Sequence, residues 1–484
     1  MILRILDRRQ GRGVRRASLL PVLSSLGLAL CAWPGCRSPV PDEHVYTGRS
    51  ETPRTASSSG GSSSVASVMT GGATALAAGG VPSASTGGVG ADGPGVADGG
   101  APPAEVGAAG GGGTDAPPPP MVFTKAGLLA AAADCTLEAL RNFVGLAQSL
   151  RDRAKELVAV RTPEHVAAAG SAFREAMAAW QALEVHRYGP AARKSDDPVG
   201  GQDLRDEIYA WPLGGRCNVE TQLVSKGYAQ ASFATQLINV RGLGTLEYLL
   251  FNEDANNGCP SYSTLNSQGT WAGLGLSEIQ ARKAEYARVV ADDVLTHAKA
   301  LVLAWERGKF RDQLTEAGSA KSSYASQQAA LNAVNNALFY VERELKDKKL
   351  ALPLGLSPDC TSGLCPEALE SQFAGLSTDN VRQNMRGFRQ LFWGCGAGSS
   401  GLGFDDWLIE VGASALERRM AAAFDAASLA IDQLDPPLER AITSKPEAAR
   451  AVYASLKQFT DLLKTEFVGT LQLELPVGSE TDND

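Results

Sequence analysis

Histidine is the residue whose scarcity says most about this chain, because its 484 residues include only four histidines. The motif His-Glu-x-x-His does not occur, which excludes the common zinc-peptidase helix with two histidine ligands and a glutamate base. The Gly-x-Ser-x-Gly turn of α/β-hydrolases and the Gly-x-x-x-x-Gly-Lys phosphate loop are also missing. The sequence therefore offers no familiar motif for hydrolysis or nucleotide chemistry.

Two further absences concern partners and secondary structure. The formal net charge is −8, which argues against a nucleic-acid-binding surface, because such a surface would need clustered lysine and arginine. We therefore expect no nucleic-acid partner. Alternation of apolar and polar residues, which would indicate β-strands, is almost absent.

Helical periodicity instead dominates residues 122–484, where apolar residues recur at steps of three and four. The clearest runs are Leu137, Leu140, Val144, Ala147, Leu150, Ala154 and Leu157, and later Leu416, Met420, Phe424, Ile431 and Leu434. We therefore predict an all-α fold. Because one hydrophobic core seldom grows beyond roughly 250–300 residues, we expect two helical lobes, residues 122–355 and 356–484.

The first 36 residues have the features of an export signal. Six arginines precede an apolar run, Leu19–Trp33, that is too short for a finished membrane-spanning helix. Cys36 follows Gly35, a small residue of the kind that precedes a lipidated cysteine. Cys31 is the alternative lipid site, and a cleaved signal peptide without lipid is another. We predict an exported lipoprotein, periplasmic or at the outer membrane, with a lipid on Cys36 as its membrane anchor.

Residues 37–121 form a segment dominated by glycine, alanine, serine and proline. Such a composition buries too little apolar surface to offset the entropy of ordering, so we expect a disordered linker. A flexible coil of this length would reach roughly 50 Å root-mean-square. Together with a lipid at Cys36, it would hold the folded region away from the membrane surface.

Six cysteines lie in the predicted folded region, and an even number in an exported protein favours disulfide bonds. They are Cys135, Cys217, Cys259, Cys360, Cys365 and Cys395. Cys360 and Cys365 are close enough in sequence to pair locally, whereas the other four allow three pairings. A cysteine-based zinc site is the alternative, but Cys-x-x-Cys does not occur.

The segment Arg241–Phe251 reads Arg-Gly-Leu-Gly-Thr-Leu-Glu-Tyr-Leu-Leu-Phe and places one carboxylate, Glu247, at the start of an apolar helical run. It resembles the signature of the imelysin family, also known as M75 peptidases, which is Gly-x-His-x-x-Glu before an aromatic and aliphatic residues. Gly242 and Glu247 match, but Gly244 occupies the histidine position. A histidine and a glutamate three residues apart can reach one ion, whereas a lone glutamate cannot hold a transition metal.

The resemblance continues along the rest of the chain, in the right order. The matching pieces are Trp180, Arg187–Pro190, Arg205, Ile208, Trp211-Pro212, Glu370-Ser371, Ser377, Asp379, Asn384, Gly387 and the closing segment 463–473. Family membership implies two helical-bundle lobes with a site in the cleft between them. It also implies a periplasmic or lipid-anchored protein, with several members associated with iron uptake and a few described as peptidases.

Carried over residue by residue, the resemblance implies an all-oxygen metal site formed by Glu247, Glu370 and Asp379. Such a site would suit Ca²⁺ or ferric iron better than zinc. The expected cleft residues are Arg205, Trp211, Arg241, Gly242, Gly244 and Ser377, with the two arginines as balancing charges. The structural alternative is that an arginine neutralises Glu247, since an unpaired buried carboxylate costs several kcal/mol. We expect the aromatic residues Tyr248, Trp211 and Trp393 to serve packing rather than ligand contact.

Three functions follow from these observations. The first is a non-catalytic envelope protein that binds an iron or calcium ion, or a metal-bearing ligand, alongside iron-transport components. The second is an M75-type metallopeptidase, against which the missing histidine argues unless His186 or His297 replaces it. The third is an envelope scaffold or polysaccharide-binding module.

Overall fold

The structure is a computed structural model that describes residues 122–211, 215–396 and 398–479. The predicted export signal (1–36), with Cys31 and Cys36, and the predicted linker (37–121) lie outside these ranges. None of the described residues lies in a β-strand, which confirms the predicted all-α fold. No helix in the described part of the chain has both the length and the apolar composition to cross a membrane.

The α-helices fall into a first and a second group along the chain. The first group is α1 (Lys125–Ala159), α2 (Pro163–Leu183), α3 (Leu204–Ile208), α4 (Cys217–Ser225), α5 (Gly242–Phe251), α6 (Thr264–Ser267), α7 (Leu276–Glu306), α8 (Phe310–Thr315) and α9 (Gln327–Leu338). The second is α10 (Ser377–Phe392), α11 (Phe404–Glu410), α12 (Ser414–Asp432), α13 (Leu438–Ser444), α14 (Pro446–Leu462) and α15 (Val468–Leu471).

Two segments form wider π-helical turns, and several short 3₁₀ turns connect the helices. The π-helical segments are Val341–Ala351 and Leu463–Phe467. The 3₁₀ turns are Glu184–His186, Gly189–Ala191, Gly227–Ala229, Ala231–Thr235, Ile238–Val240 and Pro366–Ala368.

Local sequence accounts for the helix starts. The Thr124 hydroxyl accepts a hydrogen bond from the Gly127 N–H at 2.9 Å, which caps α1. Thr162 caps α2 in the same way, and Pro163 occupies the first helical position, where its missing N–H costs nothing. The apolar stripe predicted for α1 is buried except for Val144, which is partly buried.

The helices form two bundles that share one core. In the first bundle α1 packs against α2, α7, α8 and α9, and α5 packs against α7 and α2. In the second, α14 packs against α12, α13 and the π-helical segment 341–351, which also contacts α10. The predicted boundary at residue 355 assigns that segment to the first lobe; no finding tests the boundary, which stays a prediction.

Helix α10 joins the two bundles by packing against α2 as well as α12. At Gly387 the two helices approach so closely that an added Cβ would lie 2.0 Å from the Ala182 carbonyl oxygen. As a result, one connected set of buried apolar side chains extends from Leu128 to Leu473. The chain length had instead predicted a separate core for each lobe. Glycine permits this approach because it has no side chain.

Three disulfide bonds link the six cysteines. The Cys360–Cys365 bond confirms the predicted local pair, and the other two are Cys135–Cys395 and Cys217–Cys259. The Cys135–Cys395 bond ties α1 to the loop after α10, and so connects the two bundles covalently. Glu220 lies near Cys217 and Cys259, but both sulfurs are used in the disulfide and do not form a thiolate site.

Candidate functional site

The glycine that opens α5 is required by the backbone. Gly242 has a φ of +76°, and a Cβ at this position would lie 2.6 Å from the carbonyl oxygen of Ile208. Only glycine tolerates both the left-handed conformation and this contact with the end of α3. The conformation fixes the start of α5, from which Glu247 projects one and a half turns later.

Glu247 is a buried carboxylate held by backbone donors. Its side chain is 5% exposed, and its Oε1 accepts hydrogen bonds from the N–H groups of Phe373 and Ala374, both at 3.0 Å. Burial raises the pKa of Glu247 to about 7, although the Ala374 N–H and the Ser371 hydroxyl act in the opposite direction. No arginine or lysine among the described residues forms an ion pair with it.

Glu370 is also buried, at 1% exposure, but the protein satisfies it fully. The Lys349 ammonium lies 2.8 Å away, and hydrogen bonds come from the Tyr209 hydroxyl (2.6 Å), Gln181 (3.0 Å) and Asn380 (3.0 Å). A carboxylate can accept about four hydrogen bonds, so these four donors leave Glu370 no free acceptor site. Glu370 therefore anchors a buried polar network next to Glu247, whose pKa its charge also raises.

Asp379 is not brought to the other two carboxylates. Its side chain is 58% exposed and pairs with Arg382 at 2.5 Å on the outer face of α10. Successive residues of a helix point about 100° apart, so the next residue, Asn380, faces inward and reaches Glu370 instead. The structure thus gathers Glu247 and Glu370, and leaves Asp379 at the surface.

The two arginines expected as balancing charges are engaged elsewhere. Arg205 forms a two-pronged ion pair with the fully buried Glu184, the shortest contact being 2.5 Å. Arg241 pairs with Glu207 at 2.5 Å and with Asp293 at 3.2 Å. Neither arginine pairs with Glu247, so the structural alternative of an arginine partner is not what the structure shows.

The remaining predicted residues occupy distinct places. The Ser377 hydroxyl donates to the backbone carbonyl of Glu370 and so steadies the loop that carries this carboxylate. His297 lies 3.4 Å from Asp293, and His186 is buried with its Nδ1 2.8 Å from the Thr136 hydroxyl. Neither histidine lines the cavity next to Glu247.

That cavity has a volume of about 270 Å³ and includes the predicted residues Trp211, Gly244 and Glu247 in its lining. Gly244 is half-buried in the first turn of α5, so no side chain fills its side of the cavity. Asn239 and Thr245 also belong to the lining, and their Oδ1 and Oγ1 atoms are buried below its surface without a hydrogen-bond partner among the described residues. Unpartnered buried acceptors are uncommon, and here they adjoin an unpaired carboxylate.

Sequence reasoning missed several of these residues. Lys349 directly precedes the apolar run Leu350-Ala351-Leu352, and a lysine next to such a run was a usable signal. Thr245 directly precedes the apolar part of the motif and could have been included for the same reason. Asn239 and Tyr209 carried no comparable signal, because only the chain's tertiary path brings them to the cavity.

Solved structures with this fold include the following two. One is described as an iron-regulated protein A precursor from Parabacteroides distasonis, with 15% identity, a TM-score of 0.55, and coverage of 73% of this chain and 96% of that one. The other is an imelysin-like protein from Psychrobacter arcticum, with 18% identity, a TM-score of 0.53, and coverage of 72% and 96%. At these identities the likeness shows the fold alone.

Sequence comparison gives the family. No curated protein matches the chain. The sequence model of the imelysin family, peptidase family M75, matches residues 137–465, which is more than half of the chain and includes α5, α10 and all residues that line the cavity. The chain therefore belongs to the imelysin family.

Proposed function

We propose that this protein is an exported, lipid-anchored binding protein of the imelysin family that takes a metal ion or a metal-bearing ligand at Glu247. Its role is in iron uptake, alongside iron-transport components. The observation that carries the proposal is Glu247 itself, a buried carboxylate at the edge of an open cavity that pairs with no cation in the described part of the chain. A bound cation would compensate the burial that now raises its pKa.

The neighbouring acceptors support the same proposal. Thr245 and Asn239 line the same cavity, and their Oγ1 and Oδ1 atoms have no hydrogen-bond partner among the described residues, so these polar groups remain unsatisfied beside Glu247. A relative of the same fold is described as iron-regulated, which agrees with a role in iron acquisition. Peptidase chemistry is the weaker candidate, because the described cavity lining holds neither histidine nor a free cysteine to grip a catalytic metal.

The binding proposal is tested on the purified, exported chain. Fe³⁺, a ferric trihydroxamate complex and Ca²⁺ are titrated by calorimetry into the wild type and into the Glu247→Gln variant, after bound metal has been determined by mass spectrometry. We expect binding to weaken by about tenfold or more in the variant, since one partner of a buried charge pair is lost. If nothing binds to the wild type, the proposal fails.

Asp379→Asn is the informative companion variant. It removes a carboxylate that the sequence motif suggested as a ligand, but that lies exposed beside Arg382. We expect its affinity to equal that of the wild type. A loss as large as in Glu247→Gln would instead return Asp379 to the site, by a rearrangement of α10.

The lipid anchor has a separate test. Cells that express the full chain are labelled with a fatty acid, and incorporation is compared between wild type, Cys36→Ser and Cys31→Ser. We expect the label to disappear only in Cys36→Ser. Label lost in Cys31→Ser alone, or absent from all three proteins, would contradict the assignment of Cys36.

A further inference from the structure

The Cys217–Cys259 disulfide has a buried carboxylate beside it. Glu220 lies three residues after Cys217 on α4, so both side chains project from the same side of the helix. Cys259 reaches them from the loop after α5. The two sulfurs and a carboxylate oxygen of Glu220 all lie within 4.8 Å of one another, and in the described part of the chain no other set of three potential metal ligands is so close.

Glu220 is completely buried, and its two carboxylate oxygens are satisfied unequally. Oε1 accepts hydrogen bonds from the Tyr248 hydroxyl at 2.8 Å and the Gly258 N–H at 2.9 Å, and Arg216 Nε lies 3.5 Å away. Oε2 shares the Gly258 N–H, and its other close neighbour among the described residues is the Cys259 sulfur at 3.5 Å. A disulfide sulfur has no hydrogen to donate, so part of the acceptor capacity of Oε2 is unused while the bond is intact.

The dithiol form of this pair precedes the disulfide. The cytosol keeps cysteines as thiols, and disulfides form after export to an oxidising compartment. The thiolate is the form that binds metal, and it is favoured at Cys217, because this residue is the first of α4 and lies at the positive end of the helix. Two thiolates and Glu220 would carry three negative charges against the single positive charge of Arg216. A bound divalent ion would therefore bring the local charge to zero.

The donor set determines which ion fits. Two thiolates select a thiophilic ion, whereas Ca²⁺ prefers a set made of oxygens alone. In a tetrahedral zinc site, with Zn–S near 2.3 Å and Zn–O near 2.1 Å, a sulfur and an oxygen ligand lie roughly 3.6 Å apart. Cys259 Sγ and Glu220 Oε2 are already 3.5 Å apart. Three protein ligands leave the fourth position of the ion to water.

The site lies close enough to the surface for an ion to enter. Cys217 is half-buried, and the residues on both sides of Cys259, namely Gly258 and Pro260, are exposed. Once the bond is open, this exposed loop can move away from α4 and let the two sulfurs separate to the distance that two ligands of one ion require.

We infer that Cys217, Cys259 and Glu220 bind one Zn²⁺ ion, or a similarly thiophilic divalent ion, while the two cysteines are reduced. Binding displaces two thiol protons. Oxidation reverses it, because a disulfide-bonded oxidant accepts two electrons from the thiolates and two protons from solvent and becomes a dithiol, while the new Cys217–Cys259 bond releases the ion. The site is separate from Glu247 and goes beyond the proposed function.

Zn²⁺ alone is the probe that tests the inference on the purified full chain. The chain is divided into an untreated sample and a sample reduced with a phosphine under anaerobic conditions. Both are incubated with Zn²⁺ and desalted, and the metal retained is determined by mass spectrometry. We expect the reduced chain to retain one Zn²⁺ ion more than the untreated chain. Co²⁺ in place of Zn²⁺ should give the ultraviolet absorption of a cobalt–thiolate bond.

Two double variants identify the cysteines. Reduced Cys217→Ser/Cys259→Ser should not retain the additional ion. Reduced Cys360→Ser/Cys365→Ser should retain it, because that variant removes the other local disulfide, which has no comparable carboxylate among the described residues. Equal Zn²⁺ in the reduced and untreated wild type would overturn the inference, as would an additional ion retained by Cys217→Ser/Cys259→Ser, which would show adventitious binding to other thiols.

Glu220→Gln tests the third ligand. We expect it to weaken Zn²⁺ binding to the reduced chain by about tenfold or more, since even the outer partners of metal ligands contribute that much. Glu447→Gln makes the same chemical change at an exposed position and should leave the affinity unchanged. Equal affinity in Glu220→Gln and the wild type would overturn the three-ligand site.

Circular dichroism covers the case in which reduction unfolds the chain. Zn²⁺ should then restore helical signal to the reduced wild type but not to Cys217→Ser/Cys259→Ser, and no restoration in the wild type would overturn the inference. These results are independent of Fe³⁺ or Ca²⁺ binding to the untreated chain, so this inference and the proposed function can fail separately.

Discussion

At the scale of single residues, Glu247 is a carboxyl group that is harder to ionise in the folded protein than in the unfolded chain. Its pKa is about 7 in the folded protein against 4.5 for an unperturbed glutamate, and burial is the main cause. A carboxyl with a raised pKa favours folding while protonated. This contribution is present below about pH 4.5 and is lost as the pH rises to about 7.

The Glu247→Gln variant should therefore gain stability relative to the wild type as the pH rises. The amide oxygen of glutamine can accept the two backbone hydrogen bonds from Phe373 and Ala374 without ever ionising. We expect the difference in unfolding free energy to grow by roughly 3 kcal/mol between pH 4.5 and pH 8 in the absence of ligand. Urea unfolding at a series of pH values measures it.

Glu447→Gln provides the reference for this measurement. Glu447 is largely exposed on α14, where solvent screens its interaction with Arg450. Its difference from the wild type should be nearly independent of pH. A flat profile for Glu247→Gln as well would contradict the raised pKa of Glu247.

The structural role of a residue was predictable where a local motif determines the backbone conformation. It was less predictable where the hydrogen-bond partners come from distant segments of the chain. The glycine requirement at 242 and the burial of Glu247 follow from the segment Arg241–Phe251 itself. The donors to Glu370 come from α2, from Tyr209 after α3, from the π-helical segment and from α10, and no local sequence pattern predicts that these segments meet. The role of Glu247 as a ligand to a cation stays a prediction.

At the scale of elements, the contact between α10 and α2 depends on one glycine. An added Cβ at Gly387 would lie 2.0 Å from the Ala182 carbonyl oxygen, and the atoms that it meets all belong to the Ala182 backbone, which cannot move aside as a flexible side chain could. We expect Gly387→Ala to destabilise the protein by about 1–3 kcal/mol, the usual range for overpacking. Urea unfolding measures the loss.

Gly145→Ala is the matched control for this prediction. Gly145 lies inside α1, and an added Cβ there meets nothing within 4 Å. Alanine should stabilise the helix by roughly 0.5–1 kcal/mol, so the same substitution is expected to have opposite signs at the two positions. Destabilisation of similar size at both sites would show that the close contact between α10 and α2 is not the cause of the loss at Gly387.

Elements with a regular apolar stripe, such as α1 and α12, were predictable from the sequence because their period matches the α-helix. The segment Val341–Ala351 was not distinguished as π-helical. Its wider turn shifts which side chains share a face, and this allows Lys349 to point at Glu370. Periodicity at 3.6 residues cannot describe such a segment.

At the scale of the whole molecule, the sequence predicts an all-α protein with two bundles but not their continuous core. Chain length favours separate cores, yet α10 packs on both α2 and α12 and connects them. The Cys135–Cys395 bond adds a covalent connection between the bundles, and three pairings were open before the structure decided among them.

That bond should contribute more to stability than the local one. Cys135 and Cys395 are 260 residues apart, whereas Cys360 and Cys365 are 5 apart. In the chain-entropy model a cross-link stabilises by restricting the unfolded chain, by about 5 kcal/mol for the long loop and about 2 kcal/mol for the short one. Guanidinium unfolding of two double variants, Cys135→Ala/Cys395→Ala and Cys360→Ala/Cys365→Ala, measures the stability that each bond contributes.

The other disulfides stay intact in each variant and shorten the long loop somewhat. We therefore expect the loss of stability to be larger for the Cys135–Cys395 variant than for the Cys360–Cys365 variant. Equal losses would mean that the Cys135–Cys395 bond restricts the unfolded chain no more than the local Cys360–Cys365 bond does.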